Sequence, residues 1–257
     1  TEKGLADFIT HLRDEKGLRN STIGKQLGFL KWFLKWSANN GYHKNMAYLS
    51  FKPKLKTTEK RIIFLTWDEL MTVYNFSIPE SKKYLDRVRD VFCFCCFTSL
   101  RYSDVYNLKR FDIKNGALHI TTVKTADSLT IDLNKYSQAI LDKYDGVPFE
   151  DNKALPVISN QKMNDYIKEL GQLCGLDQPE TVTYYVGNER VDEVYPKYEL
   201  MGTHTGRRTF ISNAIMMGIP PQVVMKWTGH SDYKAMKPYI AIADSAKAEA
   251  MKLFNEK

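Results

Sequence analysis

Four residues near the C-terminal end of the chain have the types and spacing needed to attack a phosphodiester. His204 and Arg207 are separated by two residues, and Tyr239 follows His230 by nine positions. A phenol can act as the nucleophile, imidazoles can carry its proton, and a guanidinium can bond two phosphate oxygens at once. Because arginine is always charged, such a set can hold the charge of a five-coordinate phosphorus without a metal ion.

Two earlier segments add further cations. Arg101 lies in the string Phe-Thr-Ser-Leu-Arg-Tyr-Ser-Asp, which ends at Asp104, and Lys124 lies in a polar turn between two segments rich in β-forming residues. A single arginine near a helix end usually caps the helix or is solvated, and a lysine in a turn is normally solvated. A chemical role for either residue therefore depends on the whole set.

Taken together, these residues resemble the tyrosine recombinase family, also called the phage-type integrases. The family pattern is an arginine, a lysine, a His-x-x-Arg pair, a second histidine and a C-terminal tyrosine. The chain fills these positions in order with Arg101, Lys124, His204, Arg207, His230 and Tyr239. Asp104 matches the acidic companion of the first arginine. Ser99 departs from the pattern, since the family usually has glycine there, and Arg208 makes a doublet in which spacing favours Arg207.

The resemblance implies site-specific recombination of DNA through a covalent intermediate. Tyr239 would attack the scissile phosphorus, with His204 as the favoured base, and the product would be a 3′-phosphotyrosine. The two arginines and His230 would hold the non-bridging oxygens, Lys124 would protonate the departing 5′-oxygen, and Asp104 would orient neighbouring groups. A 5′-hydroxyl can reverse the step, so strands are exchanged without ATP, a metal ion or another cofactor.

The resemblance also implies partners and a biological role. The substrate would be double-stranded DNA with core recombination sites, bound by a tetramer on synapsed DNA, and a monomer in solution fits the same scheme. The role would be integration or excision of a mobile element in the bacterial cytoplasm, at the nucleoid. Accessory DNA-bending or excision factors fit that role, and no membrane is implied.

Two other functions remain open from the sequence. A type IB topoisomerase uses a similar residue set and would relax supercoils without pairing two sites. A degenerate relative would bind DNA without catalysis, although all six positions are filled here. A metal-dependent nuclease is disfavoured, because the sequence has no Asp/Glu cluster at ligand spacing and the Cys-x-x-Cys at Cys93 and Cys96 lacks a second ligand pair.

The composition is that of an ordinary globular protein with a basic excess. The chain has 257 residues, a formal net charge of +7 and a pI of about 9.0. Such an excess is consistent with a polyanionic partner but does not prove one. No apolar run approaches the ~18 residues of a membrane span. Cys93, Cys95 and Cys96 lie among apolar residues, which predicts buried, reduced thiols in a core helix.

The hydrophobic periodicity predicts a mainly α fold with small β-hairpins, of the α+β class. Two amphipathic helices in residues 1–50 resemble part of the helical core-binding domain of the family, and residues 63–257 resemble its catalytic recombinase domain. A hairpin of open function is predicted around the Gly187-Asn188 turn. The chain begins at Thr1 with few N-terminal helices, so we expect a longer parent protein with more of them.

Residues 51–62 break the helical periodicity and predict a basic linker between the two domains. They contain the candidate DNA-binding residues Lys52, Lys54, Lys56, Lys60 and Arg61. A basic, irregular linker suits a clamp around a duplex, and the alternative is a solvated tether.

Local signals predict which elements position the first arginine. Thr66 and Glu69 form a capping box at the start of the second domain. A longer helix is predicted to end near Ser99, and Ser103 is the predicted N-cap of the next short helix. Arg101 would then lie in the joint between two packed helices.

Similar signals apply to the C-terminal residues. Residues three apart share a helix face, so His204 and Arg207 should point at one spot. Gly229 permits the turn that presents His230, and Pro238 is predicted to break the last helix just before the tyrosine.

Overall fold

The computed structural model describes residues 1–59 and 61–252, with residues 245–252 described as backbone only. It is mainly helical with two small antiparallel sheets, as predicted. The chain forms two compact units. The N-terminal unit contains residues 1–61 together with residues 180–195, and the C-terminal unit contains the rest of the chain from Ile62.

The N-terminal unit is built from three helices and one hairpin. Its elements are α1 (Glu2–Thr10), extended by a π turn at His11–Glu15, then α2 (Asn20–Asn39), α3 (Ala47–Ser50) and the strands β4 (Pro179–Val186) and β5 (Glu189–Pro196). Leu5 and Ile9 of α1 pack against Ile23 and Leu27 of α2, which is the helical spacing that the sequence shows. Tyr48 of α3 completes this small core.

The β4–β5 hairpin turns at Gly187 and Asn188, as predicted, and it packs within the N-terminal unit. The buried Asn20 at the start of α2 holds the turn, because its side-chain amide donates to the Gly187 carbonyl (2.7 Å) and accepts from the Gly187 N–H (2.8 Å). The Arg19 guanidinium lies 3.6 Å from the Tyr184 ring centroid. These contacts explain why a segment so distant in sequence joins the first helices.

The C-terminal unit has eight α-helices in its described part and a three-stranded sheet. Its elements are α4 (Trp67–Asn75), α5 (Tyr84–Thr98), α6 (Tyr102–Asn107), β1 (Ile113–Lys114), β2 (Ala117–Thr121), β3 (Ser128–Asp132), α7 (Lys135–Lys143), α8 (Asn160–Leu173), a 3₁₀ turn at Lys197–Leu200, α9 (Thr203–Met216), α10 (Pro221–Thr228) and α11 (Lys237–Lys252). The predicted capping box at the start of α4 is confirmed, since Thr66 and Glu69 exchange hydrogen bonds between side chain and backbone.

Helix α5 is the centre of this unit, and α9 lies directly against it. Cys93, Cys95 and Cys96 are buried and unbridged in α5, as predicted, and burial raises the pKa of Cys95 to about 12. A methyl group on Gly206 would lie only 2.8 Å from Cys95 Cβ, so glycine lets the two helices approach closely. The Thr209 hydroxyl accepts from the buried Leu65 N–H at 3.0 Å, which fixes the entering chain to α9.

The three-stranded sheet confirms the predicted hairpin and presents its tip. Strand β2 pairs antiparallel with β3 in a register that runs from Ala117–Asp132 to Thr121–Ser128. Leu118 and Ile131 are buried on one face, whereas alternate residues are exposed, which is the pattern of a sheet packed on one side. Residues 122–127 form the connecting turn.

Candidate active site

Arg101 lies in the joint between α5 and α6, as predicted. Helix α5 ends at Ser99, which has a left-handed conformation with φ of 65°. The prediction that Ser103 caps α6 is wrong, because the helix begins at Tyr102 and Arg101 itself is the N-cap residue. The Nη1 atom of Arg101 is buried and has no hydrogen-bond partner among the described residues. The joint therefore holds an unsatisfied cationic donor.

Asp104 connects this arginine to the β2–β3 turn. Its Oδ2 accepts from the Arg101 backbone N–H at 3.3 Å and lies 3.9 Å from Arg101 Nη1, too far for a hydrogen bond. Its Oδ1 accepts from the Val123 N–H at 3.0 Å. One buried carboxylate thus fixes the backbone on both sides, next to Arg101 and next to Lys124.

Arg207 lies on the buried side of α9 and is fixed by its surroundings. Its Nη1 donates to the Ser99 carbonyl at 3.0 Å, and its Nη2 donates to the Thr228 carbonyl and lies 3.3 Å from His230 Nε2. Burial, followed by the charge of Arg101, lowers the pKa of Arg207 to about 10, so that it stays charged at neutral pH. Of five guanidinium donors, three are engaged and two remain for a ligand.

The hydrogen bonds of His230 define its tautomer. Gly229 has a left-handed φ of 64° and ends α10, as the sequence predicts, and His230 follows directly. The Thr228 hydroxyl donates to the Val224 carbonyl (2.9 Å) and therefore accepts from His230 Nδ1 (2.7 Å). The neutral ring then carries its proton on Nδ1 and accepts from Arg207 at Nε2.

Both histidines of the site are neutral at physiological pH. Burial, then the charges of Arg207 and Arg101, lower the pKa of His230 to about 4. The pKa of His204 is also lowered to about 4, by partial desolvation and then by the charges of Arg208, Arg207, Arg101 and Lys124. His204 is exposed to solvent, and the four surrounding cations disfavour a further positive charge on its ring.

Lys124 is exposed in the turn between β2 and β3. Its charge contributes to the lowered pKa of His204, which places the hairpin tip near α9. The Thr122 hydroxyl accepts from the Asp127 N–H at 3.1 Å and closes the turn. Lys124 therefore lies near His204, and no hydrogen bond to a described residue fixes its amine.

Tyr239 lies in the first turn of α11. The prediction that Pro238 breaks the helix is wrong, because proline is tolerated in a first turn and Pro238 is the second residue of α11. Tyr239 is half-buried and packs on the apolar cluster of Ile211, Ile215 and Met236. Burial raises its pKa, and the charges of Arg208 and Arg207 act in the opposite direction.

Sequence reasoning missed two residues of the site. Arg208, the second member of the doublet, acts electrostatically on both His204 and Tyr239. Thr228 supplies a carbonyl to Arg207 and a hydroxyl to His230. The i, i+4 spacing of His204 and Arg208 was a usable signal for the first, whereas Thr228 acts through a carbonyl that no sequence pattern marks.

The predicted linker cations lie in the N-terminal unit. Lys52, Lys54 and Lys56 are exposed and alternate with half-buried residues along a segment without helix or strand, and Lys60 lies outside the described residues. Arg61 forms an ion pair with Glu180 at 2.7 Å, so part of its charge is already compensated. Three lysines therefore face solvent at every second position of the sequence.

Among the described residues, no group of three or more histidine, cysteine or acidic side chains could hold a metal ion. The helices in the same part of the chain are too short or too polar to cross a membrane.

The C-terminal unit thus brings Arg101, Arg207 and the two histidines together near a tyrosine, on a mainly helical fold of the recombinase catalytic type. The sequence model of the phage integrase family matches residues 63–246. The chain belongs to this family, the tyrosine recombinases.

Solved structures share the fold at low sequence identity. The match to lambda integrase (residues 75–356), a dimer bound to a COC′ core site, has a TM-score of 0.69 and 16% identity over 93% of this chain and 79% of that chain. The Tn1549 transposon integrase in complex with a circular intermediate DNA gives 0.68 and 16%, over 98% and 85%. The XerH recombinase bound to a palindromic difH substrate gives 0.68 and 15%, over 99% and 72%.

Chain coverage and a sequence comparison show how far these matches extend. The chain spans 64% of the lambda integrase chain in a second core-site complex. A comparison with curated protein sequences gave no match. The structural likeness therefore shows the fold, and the family model shows the membership.

Proposed function

We propose that this chain is a site-specific DNA recombinase that cleaves and rejoins strands through a 3′-phosphotyrosine on Tyr239. The observation that carries the proposal is the buried Nη1 of Arg101, which makes no hydrogen bond to the described residues and lies 3.9 Å from the Asp104 carboxylate, near Arg207 and, through it, Tyr239. A buried cationic donor without a hydrogen bond is costly unless an anion satisfies it. A scissile phosphate is such an anion, and its two non-bridging oxygens suit two guanidinium groups.

In the first step, the Tyr239 oxygen forms a bond to phosphorus and the bond from phosphorus to the 5′-oxygen breaks. The phenol proton passes to His204, which is neutral in the free protein and can accept it. Lys124 supplies a proton to the leaving 5′-oxygen. Resealing reverses each transfer, so no bond energy is lost and no ATP is needed.

Groups that are already in place stabilise the negative charge of the five-coordinate phosphorus. Arg207 keeps two free donors while two main-chain carbonyls and His230 hold the rest of its guanidinium. His230 accepts from Arg207 at Nε2 in the free protein, so it must gain a proton at this atom before it can donate to the phosphate. Preorganised donors of this kind contribute about 3–4 kcal/mol each to related reactions.

The proposed substrate is double-stranded DNA with core recombination sites. Lys52, Lys54 and Lys56 face solvent and would contact phosphates, and Lys60 and Arg61 extend the same basic segment. Lambda integrase has been seen as a tetramer on a Holliday junction, and a tetramer on synapsed DNA is the proposed assembly here. The proposed role is integration or excision of a mobile element at the bacterial nucleoid, with accessory DNA-bending or excision factors.

A pool of random-sequence duplexes with a nick in one strand tests the chemistry. Cleavage next to the nick releases a short strand and traps the covalent adduct, which survives denaturing electrophoresis, and sequencing of the trapped ends identifies the site. We expect adducts with the parent protein and with Tyr233→Phe, an exposed control, and none with Tyr239→Phe. Adducts should also form in excess EDTA, because cations take the place of a metal.

The outcomes separate the possible functions. An adduct with Tyr239→Phe would assign the nucleophile to another tyrosine, and no adduct with any variant would indicate a DNA-binding relative without catalysis. Loss of adduct in EDTA that magnesium restores would contradict the proposed mechanism. Plasmid relaxation without recombination between two trapped sites would indicate a topoisomerase instead.

A further inference from the structure

Helical spacing places Arg208 on the face of α9 that packs against α11. It is one helical turn after His204 and is followed at helical spacing by Ile211 and Ile215. Both isoleucines belong to the apolar cluster on which Tyr239 packs. Arg208 therefore occupies the joint between the two helices, on the side where the tyrosine begins α11.

The titratable groups around Tyr239 come from three elements. Arg207 and Arg208 act on it from α9, and burial raises its pKa against both charges. His230, after α10, reaches the same place through its contact with Arg207. Lys237 lies two residues before it on its own helix, and no acidic residue of the described chain is among the groups that shift it.

Arg208 differs from Arg207 in having no polar partner among the described residues. Arg207 is held by two carbonyls and an imidazole, whereas Arg208 is half-buried and forms no hydrogen bond or ion pair with the residues that the structure describes. Burying part of a guanidinium without a carboxylate partner is unfavourable in a purely structural role. The position makes sense if a negative charge arises next to it during the reaction.

We propose that Arg208 is a positioning residue for the nucleophile, which stabilises the Tyr239 phenolate when its proton leaves and again when resealing releases it. This inference rests on the proposed function for its place in the reaction. The electrostatic contact itself belongs to the free protein and can be measured without DNA. Arg208 would also help to keep His204 neutral and so able to accept the proton.

The first test measures the ionisation of Tyr239 directly. The protein is labelled with 3-fluorotyrosine, whose phenol ionises at lower pH than tyrosine, and the Tyr239 resonance is assigned by its loss in Tyr239→Phe. In Arg208→Gln we expect the pKa of Tyr239 to rise by about one unit, and in Arg208→Lys by clearly less. Arg87→Gln, which removes an exposed charge from α5, should leave it unchanged.

The second test uses the random nicked-duplex pool. Adduct formation by Arg208→Gln should require higher pH than that of the parent, whereas DNA affinity at fixed salt should stay within about twofold. Partial rescue by Arg208→Lys is expected, because a positive charge remains.

Three results would overturn the inference. The first is an unchanged pKa of Tyr239 in Arg208→Gln, and the second is adduct formation by Arg208→Lys that is no better than that of Arg208→Gln. The third is an Arg208→Gln variant that loses only DNA affinity and its salt dependence, which would make Arg208 a phosphate contact. Failure of the proposed function looks different. In that case the parent forms no adduct although the titration of Tyr239 still responds to Arg208.

Discussion

At the residue scale, Ser99 has a backbone conformation that normally belongs to glycine. It ends α5 with φ of 65°, and its buried hydroxyl has no hydrogen-bond partner among the described residues. Both features cost stability. The carbonyl of the same residue accepts from Arg207, so this turn holds one side of the candidate site.

Ser99→Gly should therefore stabilise the protein. Relief of the left-handed backbone and loss of the unsatisfied hydroxyl together outweigh the extra chain entropy of glycine, by about 1 kcal/mol. For a chain of this size we expect a rise in Tm of roughly 2–4 °C in a thermal melt. Ser99→Ala is the matched control, since it removes the hydroxyl but keeps the backbone strain. A lower Tm for Ser99→Gly would contradict this reading of the turn.

The lowered pKa of His230 predicts how stability depends on pH. The folded value is about 4, below the ordinary 6.5, so the unfolded chain takes up a proton between these values before the folded protein does. Stability is then lost as pH falls from about 6.5 to 4. The slope is at most about 1.4 kcal/mol per pH unit for one proton, and less where solvent reaches the ring.

Comparison with His230→Asn isolates this contribution. The variant loses the hydrogen bonds to Thr228 and Arg207, so it should be less stable at pH 8. It also lacks the titrating ring, so the difference from the parent should narrow towards pH 4.5. Urea unfolding at several pH values measures both curves. A constant difference over this range would show that the ring is not held neutral.

The sequence could predict what depends on local chemistry. The Thr66–Glu69 capping box, the end of α5 near Ser99 and the β2–β3 hairpin all follow from residues close in the chain, and all are confirmed. The predictions for Ser103 and Pro238 are wrong because another local feature sets the start of each helix. The Asp104 carboxylate accepts from the Arg101 backbone N–H at the N-terminus of α6, and proline is allowed early in α11.

The rest of the site depends on packing that no local pattern reveals. Arg207 is bonded to carbonyls that are 108 and 21 residues away, and the bond from Asp104 to Val123 crosses from α6 to the hairpin. The resemblance named the six site residues, whose roles remain predictions. It did not name Arg208, for which the i, i+4 spacing from His204 was a local signal, or Thr228, whose carbonyl no sequence pattern marks.

At the element scale, the β4–β5 hairpin depends on one buried side chain. Asn20 makes two bonds to Gly187 and donates to the Lys56 carbonyl at 2.9 Å. It thereby joins α2, the basic segment and the hairpin turn within the N-terminal unit.

Asn20→Ala should release the hairpin. It leaves partly buried backbone groups of Gly187 and Lys56 without their side-chain partner, which costs about 1–3 kcal/mol. Amide hydrogen exchange should accelerate in residues 180–195 more than in α9. Asn40→Ala, at the exposed end of α2, is the control. Equal protection of the hairpin in both variants would show that other contacts hold it.

At the scale of the whole molecule, the net charge of +7 predicts a salt-dependent interaction with DNA. Replacing Lys54, Lys56 and Lys60 by glutamine should lower the slope of log affinity against log salt concentration by up to roughly 2–3, if each lysine releases one counterion. Filter binding to a random 30-base-pair duplex over a range of salt measures the slope. Chemistry on pre-bound DNA should change little.

The control removes the same charge elsewhere. Lys135, Lys162 and Lys168 are exposed on α7 and α8, and their replacement by glutamine should change the slope less. If the two triple variants give the same slope as the parent, the basic segment is only a tether.

The anchoring of Arg207 has a consequence for how such a protein tolerates mutation. Two of its three partners are main-chain carbonyls, of Ser99 and Thr228, and a substitution cannot delete a carbonyl. The path of the backbone thus sets the orientation of the guanidinium. Neighbouring side chains can therefore be substituted during evolution without changing the direction of the arginine, provided that each replacement preserves the two turns.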